Sequence, residues 1–271
     1  MARPLLDDAL WQVIEPLLPT PKGRRRRHAG RKPLDDRTVV RGLLFVLKSG
    51  IAWEDFPCEM GCCGMTLLKP PAGMAASRRV GLGPPRHARQ AARRRGAGLL
   101  ACHRRFGLGP CDARGEKTGP SPVDRRKNGS KHHLITDANG VPLATKLTGA
   151  NRHDVTQLIP LVDAIPPVRG LPGAPLRKPG VVMGDRGYDS DGHRMKLSCR
   201  AIATEIARRN TPHGSGLGVY RWFVEQSLAL MHQFKRLRVR DDRDDAVHEA
   251  FMTLACVVMC WRRLHASASF F

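Results

Sequence analysis

The chain has 271 residues and 41% apolar composition, enough for one large domain or two small ones with a packed core. Lys and Arg number 46 against 24 Asp and Glu, a net charge of +22 that argues against an acidic-surfaced metabolic enzyme and for a polyanionic partner, nucleic acid above all. No run reaches the ~18 apolar residues of a membrane helix, and Asp7 and Asp8 stand where a secretory signal needs a basic start, so no membrane association and a cytoplasmic location are expected.

Residues 7–18 (DDALWQVIEPLL) predict a short amphipathic helix capped by Asp7 or Asp8. A basic loop follows, carrying Lys22, Arg24, Arg25, Arg26, Arg27, Arg31 and Lys32. Asp35 or Asp36 then caps a second helix with Val39, Val40, Leu43, Leu44, Val46 and Leu47 on it, and Gly50 closes it. Two small helices around a tetra-arginine loop suggest a DNA-gripping domain of helix-turn-helix type over residues 1–65. A solvated basic loop is the alternative.

The composition then breaks. Between Glu59 and Asp112 there is no acidic residue, ten are basic, and Phe106 is the only aromatic. Such a stretch cannot bury enough apolar area to offset its ordering entropy, so residues 66–114 are expected to form a disordered basic segment. Beyond Gly115 the pattern becomes α/β. His132 to Thr136 and Val141 to Leu147 read as two strands around an Asp137-Ala-Asn-Gly140 turn. A helix from Asp154 to Ile165, a short buried strand Val181-Val-Met183 and a strand within Ala201–Ala207 follow. Tyr220–Phe234 and Asp244–Leu264 are helical by length and periodicity.

The sharpest local feature is Asp185, which ends the strand in Val-Val-Met-Gly-Asp-Arg-Gly-Tyr-Asp with Gly184 and Gly187 beside it. Open α/β sheets place functional groups at such strand ends. Glu225 sits on the predicted helix 40 residues later. A strand-end Asp and a helix-borne Glu can share Mg²⁺ or Mn²⁺, and a pair of such ions serves phosphodiester chemistry. Alternatively, Arg221 and Glu225 are spaced i,i+4 and make a surface ion pair.

Several phrases of the chain resemble those of bacterial insertion-sequence transposases of the DDE class. They are Lys117-Thr-Gly-Pro-Ser-Pro-Val-Asp-Arg-Arg126, Gly129-Ser-Lys-His-His-Leu134, Leu147-Thr-Gly-Ala-Asn-Arg-His-Asp154 and Asp185-Arg-Gly-Tyr-Asp189. Gly214-Ser-Gly-Leu-Gly218, Phe234-Lys-Arg-Leu-Arg-Val-Arg240 and Cys260-Trp-Arg-Arg-Leu264 complete the set, and Gly50-Ile-Ala-Trp-Glu-Asp-Phe-Pro57 resembles the small N-terminal domain of these enzymes. The resemblance implies a ribonuclease-H-like mixed sheet flanked by helices over residues 115–271, holding divalent metal through three acids. Asp185 matches the second acid, Glu225 the third, and Arg221 the arginine of the last signature. Gly218 and His232 depart from that signature, where many relatives carry Tyr and Lys. The resemblance also implies double-stranded DNA as partner, both element ends and target, and a homo-oligomer on the DNA. Arg125, Arg126, Lys127, Lys131, Lys235, Arg236 and Arg238 join the basic loop and Arg221 as expected DNA contacts. His153 and Asp154 match a family phrase too, with helix capping as their expected task.

The first acid should end an apolar run shortly before Lys117, as Asp-Ser, and no such phrase is there. Asp112 and Asp124 are the available substitutes. The break and the missing acid suggest one cause, a shifted reading frame near residues 66–114. Phe106 to Cys111 can be encoded TTC-GGA-CTC-GGC-CCA-TGT, which one base later reads Ser-Asp-Ser-Ala-His. On this reading the first core strand is missing and the transposase is impaired, with an inactive DNA-binding remnant or a metal-dependent nuclease of the same fold as alternatives. Cys58, Cys62, Cys63, Cys102, His103 and Cys111 match no standard zinc-finger spacing. Cys256 and Cys260 read as core, His132-His133 as strand packing or phosphate contact, and Trp222, Phe223 and Phe234 as the buried face of the Glu225 helix.

Overall fold

The computed structural model describes residues 4–18, 34–68, 97–103, 115–122, 125–168, 174–211 and 218–268. The N-terminal helices form where their caps are. The Asp7 carboxylate accepts the Leu10 N–H at 2.7 Å and starts α1 (Asp8–Ile14), which tightens into a 3-10 turn at Glu15–Leu17. The Asp35 carboxylate accepts the Thr38 N–H at 3.0 Å and starts α2 (Asp36–Ser49). Gly50, at φ 71°, ends α2 in the left-handed region that favours glycine. A short α3 (Gly64–Leu68) follows.

Six strands make one mixed sheet: β1 (Ala97–His103), β2 (Gly119–Pro120), β3 (Asn128–Thr136), β4 (Pro142–Gly149), β5 (Val181–Gly184) and β6 (Ala203–Ile206). β1 is central, antiparallel to β3 on one side and parallel to β5 on the other. β5 in turn pairs parallel with β6, and β3 pairs antiparallel with both β4 and β2. The β3–β4 turn is held by Asp137, whose carboxylate accepts the N–H groups of Asn139 and Val141 at 2.9 and 2.8 Å. Among the described residues the helices that follow are α4 (Leu158–Asp163), α5 (Asp191–Ser198), α6 (Gly218–Met231), α7 (Lys235–Arg238) and α8 (Asp245–Ala268).

Strand alternation sorts the sheet residues between two cores. Ile135 and Val182 pack with Leu158, Leu161 and Leu197 of α4 and α5. Their neighbours Leu134 and Met183 face the other way, into a core with Val224 and Leu228 of α6 and Met252 and Ala255 of α8. Helices therefore cover both faces of a mixed sheet, the layer order expected from the resemblance. Leu10, Val40, Leu44, Leu47 and Leu67 belong to that second core as well, so the N-terminal helices share it with α6, α7 and α8. Among the described residues no helix is long and apolar enough to cross a membrane.

Two expectations are corrected here. The first core strand is present: Ala97–His103 fills the slot between β3 and β5. The basic composition of residues 66–114 hides an uncharged run between Arg95 and Arg104, and the slot offers that run unpaired backbone donors and acceptors on both sides. The boundary expected at residue 65 falls inside α3. A third element not anticipated is α5, which starts two residues after the Asp185-Arg-Gly-Tyr-Asp189 phrase.

Candidate active site

Asp185 stands at the carboxyl end of β5. Its backbone is still extended (φ −79°, ψ 177°) before the chain turns into the 3-10 helix Arg186–Tyr188, and its Oδ1 accepts the Gly187 N–H at 3.0 Å. Tyr188 is fully buried and anchors this turn, with its hydroxyl 3.3 Å from His133 Nδ1. A Cβ on Gly187 would lie 3.0 Å from Asp185 Oδ1 and 3.1 Å from Asp154 Oδ2, so two carboxylates converge over this glycine. Asp154 is ion-paired with Lys131 at 2.8 Å. His153 occupies the N-cap position before Asp154 but makes no side-chain cap bond, so the expected capping is not what this phrase supplies. Asp189 locks the loop beyond: it accepts Arg194 Nη2 and the Arg209 N–H, both at 2.7 Å. Those bonds, the Arg209 N–H first, hold its carboxyl below the usual range.

Glu225 is exposed on α6, a helix that lies against β1 and β3. Its buried side is Val224, Leu228 and Met231. Trp222 does not belong to that side as expected; it is 61% exposed, one turn before Glu225, because the 3.6-residue period rotates it away from Val224 and Leu228. Phe223 is half-buried on the helix, and Phe234 is buried but lies beyond its end at Met231, as the N-cap of α7. Arg221 lies on the same helix, but its side chain is outside the described residues, as are Asp112 and Asp124.

β1 decides how many acids meet. Its pairing with β5 runs Ala97↔Val181, Gly98↔Val182 and Leu99↔Met183, beside the strand that leads into Asp185. The strand, Ala-Gly-Leu-Leu-Ala-Cys-His, contains no carboxylate. Among the described residues no group of three His, Cys, Asp or Glu is arranged to hold a metal ion. Asp185 and Glu225 are hard oxygen donors of the kind Mg²⁺ and Mn²⁺ prefer, but the set is short of the third acid the resemblance calls for, so the residues present do not form a complete site.

The expected DNA contacts divide. Arg125, Arg126 and Lys127 are exposed, the first two in left-handed backbone at φ 47° and 57°. Lys235 and Arg238 are exposed on α7. Lys131 is instead spent on Asp154 and the Arg152 carbonyl. Arg236 is corrected outright: its side chain is 3% exposed, bonded to Asp242, Asp241 and the Ile51 carbonyl. A run of basic residues reads as surface in one dimension, yet the helical turn directs Arg236 inward, toward the two aspartates that follow. Arg240 is buried as well and binds Ser130 Oγ at 2.8 Å. Lys22, Arg24, Arg25, Arg26, Arg27, Arg31 and Lys32 lie outside the described residues. His132 and His133 are both fully buried, so packing is their role. Burial holds His133 down to about 4. Cys256 and Cys260 lie on the packed side of α8, where burial pushes the Cys260 thiol up to about 12. The sequence reading missed Trp53, Asp242 and Arg240, whose bonds span residues far apart in the chain.

The family model described as "Transposase DDE domain" matches residues 101–260. The chain belongs to the DDE transposase family. A second model, "Putative transposase of IS4/5 family", matches residues 6–69. The "Putative transposase for insertion sequence element IS402" of Burkholderia cepacia is 53% identical over 201 residues, 74% of this chain and 95% of that protein. The "Insertion element IS402 uncharacterized 16.2 kDa protein" of the same organism is 56% identical over 62 residues, 23% of this chain and 42% of that protein. The transposase for insertion sequence element IS1106 of Neisseria meningitidis serogroup B is 32% identical over 117 residues, 40% of this chain and 37% of that protein. This DDE transposase is thus one of the insertion-sequence type, and dependence on divalent metal is general to its family.

Proposed function

We propose that this transposase binds the ends of its insertion sequence as double-stranded DNA, with Asp185 and Glu225 as the second and third catalytic acids, and that it cleaves those ends poorly. The observation that carries the reading is the strand beside Asp185. β5 leads into an acid, Asp185, at its carboxyl end, while β1, paired alongside it, carries no carboxylate from Ala97 to His103. Two acids hold Mg²⁺ or Mn²⁺ weakly and leave the two-ion geometry unmade. Lys22, Arg24 to Arg27, Arg31, Lys32, Arg125, Arg126, Lys127, Arg221, Lys235 and Arg238 neutralise phosphates, so binding falls steeply with salt. The protein acts as a homo-oligomer on DNA. Its functional parts are a DNA-binding region that runs through α3 and a catalytic region that begins with β1; a shifted reading frame over the basic stretch that includes β1 accounts for the missing acid.

The empty acid position on β1 also favours a second reading, a DNA-binding remnant without catalysis. One experiment separates the two. Labelled duplexes ending in the element's terminal repeat, and random duplexes, are incubated with the protein and Mg²⁺ or Mn²⁺, beside Glu225→Gln. Weak repeat-specific nicking abolished by E225Q supports the impaired enzyme. Binding with no nicking supports the remnant, and equal nicking of random duplex would point to an unspecific nuclease of this fold. Efficient repeat cleavage would refute the impairment.

A further inference from the structure

Two phrases of the sequence that lie far apart, Gly50–Pro57 and Phe234–Arg240, meet face to face. Trp53 stacks on Phe251 of α8 with ring centroids 5.8 Å apart and planes 21° apart. The Arg236 guanidinium covers the Trp53 ring at 5.4 Å, and the indole N–H donates to Asp242 Oδ1 at 2.9 Å. Arg236 closes the seat, donating to Asp242 at 2.9 Å and to the Ile51 carbonyl at 3.2 Å. The backbone at Gly50 comes so near that a Cβ there would sit 2.8 Å from Lys235 Cβ. Around this centre the apolar core runs without a break from Leu44 and Leu47 of α2 to Leu237 and Phe251. A Trp and an Arg at the middle of a desolvated apolar patch are the anatomy of a protein–protein hot spot. Two proteins of one element are each similar to part of this chain, over 201 and 62 residues.

We propose that residues 4–68 are a docking subunit that holds its seat on α7 and the start of α8 without needing the peptide connection, and that the N-terminal unit of a second copy of this chain can take that seat. The exchange would let protomers share N-terminal units, a form of domain swapping.

The test uses the full chain with a site-specific protease sequence inserted between residues 82 and 83. After cleavage, verified on a denaturing gel, the two pieces should co-elute in size-exclusion chromatography at micromolar concentration. Mixing cut protein tagged on its N-terminal piece with untagged cut protein should place tagged pieces on untagged catalytic pieces within a day. Trp53→Ala should raise the concentration at which the pieces part by at least about 30-fold, the effect of losing a hot-spot side chain. Trp53→Phe keeps a ring on Phe251 but loses the bond to Asp242, and should raise it by about tenfold; it carries the test if the alanine variant does not fold. Pieces that part at micromolar concentration, or Trp53 variants that hold together like the parent, overturn the docking. Co-elution without exchange overturns the sharing of units.

Discussion

Arg236→Ala separates a structural arginine from a DNA-contacting one. The Arg236 and Asp242 side chains are each 3% exposed, and Arg236 reaches Asp242 at 2.9 Å, Asp241 at 3.1 Å and the Ile51 carbonyl at 3.2 Å. Its removal leaves Asp242 buried with the Trp53 N–H in place of a guanidinium. Breaking a buried pair from one side costs about 3–5 kcal/mol, a large part of the ~5–15 kcal/mol that holds a typical domain folded. Losing the contact with the Trp53 ring adds about 0.5–2 kcal/mol. The assay is the urea unfolding midpoint, read beside duplex binding by fluorescence anisotropy across a salt series. Arg236→Ala should lower the midpoint sharply, and Arg236→Lys less so, because a single ammonium cannot serve three acceptors in a fixed fork. Lys235→Ala, exposed one residue earlier, should leave the midpoint unchanged and reduce the salt slope of DNA binding by about 1. An R236A protein of parental stability that binds DNA with a reduced salt slope would refute the reasoning.

Acid should destabilise the protein through its buried histidines. Burial lowers His133 to about 4, and burial with Arg240 nearby lowers His248 to about 3. Both fall from an ordinary 6.5, so below that pH the unfolded chain binds protons that the folded chain refuses. Stability is therefore full above pH 6.5 and falls on acidification towards 4 by about 1.4 kcal/mol per pH unit for each histidine; a urea midpoint flat between pH 6.5 and 4.5 would contradict this. Gly50→Ala forces a Cβ into left-handed backbone and 2.8 Å from Lys235 Cβ. It should cost about 1–3 kcal/mol in thermal or urea unfolding, whereas a neutral outcome would mean that α2 and α7 are not in contact there.

Local signals carried far in this chain because local physics sets them. Asp7 and Asp35 cap their helices, Gly50 ends α2, and the Asp137–Gly140 turn joins β3 to β4 as hydrogen bonding within a few residues requires. The Val181–Gly184 strand and Asp185 at its end were legible from an apolar run that stops at a glycine. Exposure was harder to read. Residue type points Trp222 inward and Arg236 outward, and each faces the other way, because the rotation of a helix against its neighbours sets direction.

β1 shows the remaining limit. Judged by the composition around it, Ala97–His103 belongs to a segment that cannot fold alone, and only strands more than twenty-five residues away in the chain complete its hydrogen bonds. The same non-local pairing sets β1, which has no carboxylate, beside the strand that leads into Asp185. By itself the sequence determined the charge, the caps, the alternating and helical periods and the family phrases, since each depends on residue type and short spacing. Only the tertiary structure decided that Trp53 seats on α7 and α8, that Arg236 and Arg240 are internal, and that Asp154 and Asp185 converge over Gly187. Those are contacts between residues tens to hundreds of positions apart, which burial and packing select and which spacing along the chain does not encode.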